Sequence, residues 1–364
     1  MNLWQRHEVT RDSSISLPRI SGTGFAALDL IFPYGSDPEE TEAAYLAAAG
    51  GTCANILLTL VQLGLRVSFL SRLGHDPAGM EISIAFRRAG ADVSPIHHDK
   101  TIFSPVILQY LRSSDQGGHD HWFSRSYRGR KLPRYVSVTN DQVESAIPIL
   151  EQSWAFVFDR LTVETLNAVR TAHASGALIL FEPSSIEDVS LFRSALAYVD
   201  ILKFSSKRLD DQLSKAWLTE VPVVIRTLGE IGLEVSFRDR PDLYHYLPAI
   251  NAPRITDSCG SGDMVTAGLL FWLAIQEGRD QQIMLQGIRK GQKLAAMNCA
   301  FVGARGIFHA MDVASIKHFW LDASMQAWLR EIRRINPTAG YTRIERESIF
   351  LTLAPHGGSP LVLG

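Results

Sequence analysis

The sequence predicts a doubly wound α/β fold: a mostly parallel sheet, helices on both faces, and a small β-rich lid. Three observations predict it. Short apolar runs alternate with helix-length segments between residues 155 and 227. A hairpin pattern, residues 104–112 and 120–127 flanking a polar Ser-Ser-Asp-Gln-Gly-Gly turn, precedes that alternation. Two glycine turns, Gly50-Gly51 and Gly260-Ser-Gly262, each open an apolar helical segment.

Residues 1–18 are polar and read as a loose arm. Residues 20–32 are apolar, lie between Pro18 and Pro33, and read as one strand. Residues 34–49 run from an acidic turn into an alanine-rich approach to Gly50. Residues 54–63 carry helical spacing and stop at Gly64; 67–73 read as a buried strand, and 78–89 as a helix ending at Gly90. After the hairpin come strands at 155–159, 177–181, 201–204 and 221–227. Helices near 163–175 and 187–198, and a further one before residue 221, separate them. A strand end at 253–256 leads into the helix at 264–275, and 324–335 is amphipathic. The expected division is an arm at 1–19, one domain at 20–315 with lid segments near 31–49 and 101–130, and a helix and tail at 316–364.

Composition narrows the class. Of 364 residues, 46% are hydrophobic and 20% charged, as in ordinary globular enzymes. A net charge of −2 gives no pull toward nucleic acid or anionic membrane. The three cysteines, Cys53, Cys259 and Cys299, lack CxxC spacing, which fits a reducing compartment. No apolar core of a secretion signal lies in the first residues, and the longest apolar stretch, 265–275, is too short to span a bilayer. A cytoplasmic location is the expectation.

The run Asp257-Ser-Cys-Gly-Ser-Gly-Asp263 carries most of the chemistry. A Gly-Ser-Gly turn at a helix start leaves backbone N–H groups without intrahelical partners, and the helix dipole adds positive potential. Together they suit an anion. A carboxylate in that turn would repel a bound phosphate. It makes sense if it takes a proton from a hydroxyl that then attacks phosphorus, so Asp263 reads as a general base for phosphoryl transfer. The same run also fits a plain helix entry capped by Ser261 or Asp263. Gly50-Gly-Thr-Cys-Ala-Asn55 lets backbone approach a ligand and puts an amide in a first helical turn; a plain cap is the alternative. No GxxxxGK[ST] occurs, which excludes a P-loop kinase.

Together these pieces resemble the ribokinase/PfkB family of carbohydrate kinases over roughly residues 20–315. The stretches that carry it are GGTCANILLTLVQLGLRVSFLSRLGHDPAGMEISIAFRRAGADV at 50–93, LILFEPSS at 178–185, VDILKFS at 199–205, VVIRTLGEIG at 223–232 and DSCGSGDMVTAGLL at 257–270. The resemblance implies a ribokinase-like fold and transfer of phosphate from ATP to a sugar hydroxyl. It implies that Gly24, Asp29, Gly50, Gly51 and Asn55 bind substrate and that Asp263 is the catalytic base. Backbone N–H groups of Gly260, Ser261 and Gly262 would form the anion hole. Thr227, Gly229 and Gly232 would lie along the ATP phosphates. Mg²⁺ is implied as cofactor; K⁺ would sit behind the anion hole in some members, at the positions of Asp257 and the Cys259 carbonyl.

The chain departs from the pattern at one place. Where the family has N-x-x-E for the Mg²⁺ water shell, Ser205 and Arg208 stand here, which inverts the local charge. Arg208, with Lys207, is the candidate for direct contact with nucleotide phosphate. Glu182-Pro183-Ser184 stands for the family's Asp-Pro-Asn.

Other motifs have bland readings. Gly22-x-Gly24-x-x-Ala27 fits a dinucleotide fingerprint, with Glu40 or Glu42 at the expected distance, but it opens a strand and not a helix. His97-His-Asp99 and His119-Asp-His121 read as solvated loop and not as metal ligands. Cys259 at a helix start suggests a lowered thiol pKa. Trp122, Phe123, Arg125, Arg128, Arg130 and Lys131 on the hairpin suggest a lid over a polar or anionic substrate. The expected function is therefore an ATP-dependent sugar kinase. A nucleoside kinase on the same scaffold and a non-catalytic sugar- or nucleotide-binding protein remain open. Exposed lid edges allow a homodimer.

Overall fold

A computed structural model describes residues 17–32, 34–36, 43–44, 46–113, 119–127, 129–276, 278–341 and 344–345. The arm before residue 17, the hairpin turn at 114–118, Glu40, Glu42, Arg128 and the tail beyond 345 lie outside these residues, as do the side chains of His119, Asp120 and His121.

The chain runs β1 (Arg19–Thr23), β2 (Ala27–Ile31), β3 (Leu46–Gly50), α1 (Thr52–Gln62), β4 (Arg66–Gly74), α2 (Pro77–Ala89) and β5 (Ile96–Asp99). It continues through β6 (Val106–Ser113), β7 (His119–Ser124), β8 (Ala155–Phe158), α3 (Val163–Ala174), β9 (Leu178–Phe181), α4 (Val189–Leu196) and β10 (Ile201–Ser205). β11 (Val223–Thr227), β12 (Gly232–Phe237), β13 (Arg240–Pro248), α5 (Ser261–Ile275), α6 (Gln281–Asn298) and α7 (Met325–Ile332) complete the main elements.

Nine strands form one sheet in the order β13-β12-β11-β10-β9-β8-β1-β4-β5. It is parallel from β11 to β5, and β12 and β13 add antiparallel to one edge. Both faces are covered because the central strands are apolar on both sides. Ala155 and Val157 of β8 join a core that includes α1, α5 and α6, whereas Phe156 and Phe158 join a core built on α3 and α4. Chain order reverses between β1 and β8, so the crevice at their carboxyl ends is where such sheets bind ligands.

A second sheet, in the order β3-β2-β6-β7, is built from the segments expected to form the lid. The expected single strand at 20–32 is in fact two: β1 belongs to the main sheet and β2 to the lid. Gly24, at φ 147°, makes the break. The expected strand at 253–256 is absent, and His97-His-Asp99 forms part of β5, not loop. His98 lies against Ser83 and the Gly74 carbonyl, and Asp99 accepts from Arg72. The expected helix at 324–335 is shorter, Met325–Ile332.

Candidate active site

Two helix starts meet at the site. Asn55 lies in the first turn of α1, and its Nδ2 donates to Asp263 Oδ2 at 2.8 Å, in the first turn of α5. Each helix presents its positive end to this carboxylate. The turn that opens α5 depends on Gly260, at φ 70°, where a Cβ would stand 2.5 Å from Ala304 Cβ. Within it, the N–H and Oγ of Ser261 both donate to the Ser258 carbonyl. The N–H groups of Gly260, Gly262 and Asp263 donate to no acceptor among the described residues. Thus two of the three predicted anion-hole amides are open, and Ser261's is engaged.

Asp29 sits on β2, buried, with Gly50 of β3 against it; a Cβ on Gly50 would stand 1.8 Å from Asp29 Oδ2. Gly51 caps α1 at the end of that segment. Arg305, which the sequence reading missed, reaches this patch from the turn after α6. It is 5% exposed and donates to the Ala49 carbonyl (2.7 Å), Gln62 Oε1 (3.3 Å) and Asn55 Oδ1 (3.4 Å). Asn55 is therefore clamped between a guanidinium and a carboxylate. The local signal was a lone arginine in the apolar run Cys299–Gly306.

The carboxyl ends of the parallel strands supply the other wall. Gly24, at the end of β1, packs on Asp159, whose Oδ1 accepts from the Phe25 N–H at 2.8 Å. Arg160 pairs with Asp159 Oδ2 at 2.8 Å. Next along the edge, Glu182 accepts from Lys203 Nζ through Oε1 and from Thr266 Oγ1, at 2.6 Å, through Oε2. Gly262 faces this pair: a Cβ there would stand 3.4 Å from Lys203 Nζ and 3.7 Å from Glu182 Oε1. Asp159, Lys203 and the Glu182–Lys203 pairing were not singled out from the sequence, because the contacts join strands that are distant in the chain.

Burial dominates the electrostatics. It pushes the Asp263 carboxyl up to about 7; Glu182 adds to the rise, and the Asn55 hydrogen bond and Lys203 oppose it. Asp263 is half-buried. Burial likewise pushes Asp29 up to about 7 against the pull of Arg305, and Asp159 up to about 6 against Arg160. The Cys259 thiol is raised by burial and by Asp257, the opposite of the expected lowering at a helix start.

On the nucleotide side, Ser205 and Thr227 are partners at the ends of β10 and β11. Thr227 Oγ1 donates to the Phe204 carbonyl at 3.3 Å. Gly229 is open and exposed, and Gly232, at φ 138°, packs on the Leu247–Ala249 backbone. Lys207 and Arg208 are exposed on a one-turn helix, and their side chains make no hydrogen bond or ion pair among the described residues. The structure does not bring them onto Asp263's first contacts.

Behind the turn, Asp257 is fully buried. Its Oδ1 accepts from the Cys259 N–H (2.8 Å), and its Oδ2 accepts from the Gly303 N–H (2.8 Å) and Gln109 Nε2 (3.2 Å). A buried carboxylate held by neutral donors suits a monovalent cation, and the Cys259 carbonyl accepts no hydrogen bond among the described residues. Among those residues no group of three or more His, Cys, Asp or Glu could hold a metal. Glu182 is engaged by Lys203, so the residues fit a Mg²⁺ that arrives on nucleotide phosphate and not one fixed by a protein cage.

Fold and cleft define a ribokinase-like α/β protein. A family model described as pfkB family carbohydrate kinase matches residues 23–309. The chain therefore belongs to the pfkB family of carbohydrate kinases, and a sugar kinase is the activity this membership supports. Relatives include a probable fructokinase-4 of Arabidopsis thaliana, 25% identical over 247 residues (62% of this chain, 73% of the relative). Fructokinase-2 of Solanum lycopersicum is 22% identical over 274 residues, 70% of this chain and 80% of the relative. Among solved structures, a putative ribokinase II from E. coli superposes with TM-score 0.67 at 16% identity, over 83% of this chain and 99% of the other. A fructokinase from Vibrio cholerae O395, bound to fructose, ADP and calcium, gives 0.64 at 19% identity, over 84% of this chain and 100% of the other. Among the described residues no helix is long and apolar enough to cross a membrane.

Proposed function

We propose that this protein transfers the γ-phosphoryl group of ATP to a hydroxyl of a sugar or sugar derivative. One observation carries the reading: a carboxylate raised to about 7 stands in the same helical turn as open backbone N–H groups. Asp263 accepts the proton of the substrate hydroxyl as its oxygen bonds to the γ-phosphorus. The bond from that phosphorus to the β-bridging oxygen breaks, and ADP leaves. The N–H groups of Gly260 and Gly262 hold the charge that develops on the phosphoryl oxygens; a donor of this kind is worth about 10²–10³ in rate. Asp29, the Gly50-Gly51 backbone and Asn55 grip the sugar, and Asn55 also fixes the Asp263 rotamer. Gly24 lets Asp159 close the crevice. Ser205, Thr227, Gly229 and Gly232 line the approach of the nucleotide, with Arg208 at its outer end. Mg²⁺ carried in on the nucleotide would supply neutralisation of phosphate charge, and the Asp257 carboxylate and Cys259 carbonyl would hold K⁺.

The test is ADP release with ATP, Mg²⁺ and a panel of sugars, sugar acids, sugar phosphates and nucleosides, for the wild type and Asp263→Asn. Substrate-stimulated turnover that drops about 10²–10⁴-fold in the variant is expected. kcat/KM should rise with pH through about 7, since only the ionised carboxylate accepts a proton. Equal turnover in wild type and variant would overturn the assignment, and stimulation by nucleosides alone would move the substrate class.

A further inference from the structure

A cavity of about 430 Å³ is lined by Phe25, Tyr135, Asp159 and Arg160. It shares walls with the proposed sugar site. Asp159, which holds the Phe25 N–H, lines it, and so does Ile107, the register partner of Asp29. Three guanidinium groups face it: Arg125, Arg134 and Arg160. Arg160 is committed to Asp159 and lies over the Phe25 ring, 4.8 Å from its centroid. Arg125 and Arg134 make no side-chain hydrogen bond or ion pair among the described residues. They hang from one small ladder, in which Arg130 pairs with Tyr127, Lys131 with Ser126, and the Leu132 N–H donates to the Arg125 carbonyl.

Carboxylates also line the cavity, and their state decides its character. Asp159 is engaged by Arg160 and the Phe25 amide. Asp188 caps α4 by accepting from the Leu191 N–H at 2.9 Å. Among the described lining residues, Glu187 and Asp188, both exposed, keep their charge alongside two guanidinium groups that have no hydrogen-bond or ion-pair partner. A further donor is available: the Tyr135 hydroxyl is buried without a hydrogen-bond partner among the described residues, its ring edge-on to Phe25 with centroids 6.4 Å apart. A buried hydroxyl without a partner is costly in the empty protein and favourable once an acceptor arrives.

We infer that this cavity is an anion subsite. It takes the carboxylate or phosphate of an acidic sugar derivative whose reacting hydroxyl lies at Asp263, with Arg125, Arg134 and Tyr135 as its donors. The inference rests on the sugar-kinase reading and narrows the substrate to an anionic one. Two guanidinium groups and a phenol suit such an end; a neutral polyol needs no uncommitted charge there.

The experiment compares fructose, gluconate and fructose 6-phosphate as acceptors, for the wild type and Arg125→Gln/Arg134→Gln. The expected result is a higher kcat/KM for one of the two anionic compounds than for fructose. In the variant, the anionic-over-neutral preference should fall about tenfold or more, mainly through KM. A phosphate source is indicated if fructose 6-phosphate leads, a carboxylate source if gluconate does. Titration calorimetry of the same compounds needs no turnover, and so separates the two readings. Anion binding that weakens in the variant supports the subsite even if nothing is phosphorylated, in which case the kinase reading fails alone. Turnover of fructose with no anionic preference, and calorimetry unchanged by the substitutions, overturns the subsite and leaves the kinase reading intact.

Discussion

Arg305 sets the charge balance of the cleft. It is a buried cation close to Asp29 and the half-buried Asp263, where Lys203 also acts, and it positions Asn55. Arg305→Met would strand the Ala49 carbonyl and remove the positive charge that restrains both acids. Breaking a buried charge arrangement of this kind costs about 3–5 kcal/mol. We expect a lower Tm and, in the protein that folds, an acid limb of kcat/KM displaced to higher pH. Thermal unfolding and a pH–rate profile check both, and an unmoved limb would remove Arg305 from the electrostatics of Asp263. Asp263 and Asn55 were legible in the sequence because each follows a glycine turn into an apolar helix. Arg305 and the Glu182–Lys203 pair were not, since their partners lie on other strands and other helices.

Among the elements, α5 makes the sharpest claim. Gly260 and Gly262 flank one serine but are constrained differently. Gly260 has a left-handed φ and backbone of Ala304 against it, whereas Gly262 has ordinary room for a methyl group, next to Lys203 and Glu182. Gly260→Ala should destabilise by about 1–3 kcal/mol. Gly262→Ala should keep the wild-type Tm and lose turnover, because the added methyl group enters the space where the phosphoryl oxygens are proposed to sit. Parallel melting curves and kcat values for the two variants test this; a fall in Tm without loss of kcat for Gly262→Ala would contradict it. The parallel strands were readable from their short, fully apolar runs. The division of 20–32 into β1 and β2 was not, because both strands are buried on both faces and the hydrophobic pattern does not change across the bend at Gly24. β13 escaped notice for the opposite reason: most of its residues are half-buried or exposed, so it lacks an apolar stripe.

At the scale of the molecule, stability carries the signature of the buried acids. Asp29 has a folded pKa near 7 against an ordinary carboxylate value of 3.8. Between those values the folded state holds a proton that the unfolded state has released, so this group lowers stability as pH rises across the window. His309, lowered to about 4 by burial, works in the other direction below its ordinary value of 6.5. Asp29→Asn removes only the first contribution. Its stability relative to wild type should therefore increase from pH 4 to pH 7, by up to about 1.4 kcal/mol for each pH unit crossed. Urea unfolding at several pH values measures it, and parallel curves for the two proteins would refute the raised pKa.

The C-terminal segment also returns to the cleft. The Tyr341 hydroxyl donates to the Val302 carbonyl at 2.8 Å, and its ring stacks on His309. Ile344 and Glu345 then pair antiparallel with Ala44 and Ala43, on the chain that leads into β3 of the lid. A lid joined to its domain only through its own strands would swing like a door on one side. Here a second seam, sewn from the opposite end of the chain, runs along the jamb. We expect any wide movement of that sheet to require breaking this pairing first, which would make residues 344–345 a restraint on it.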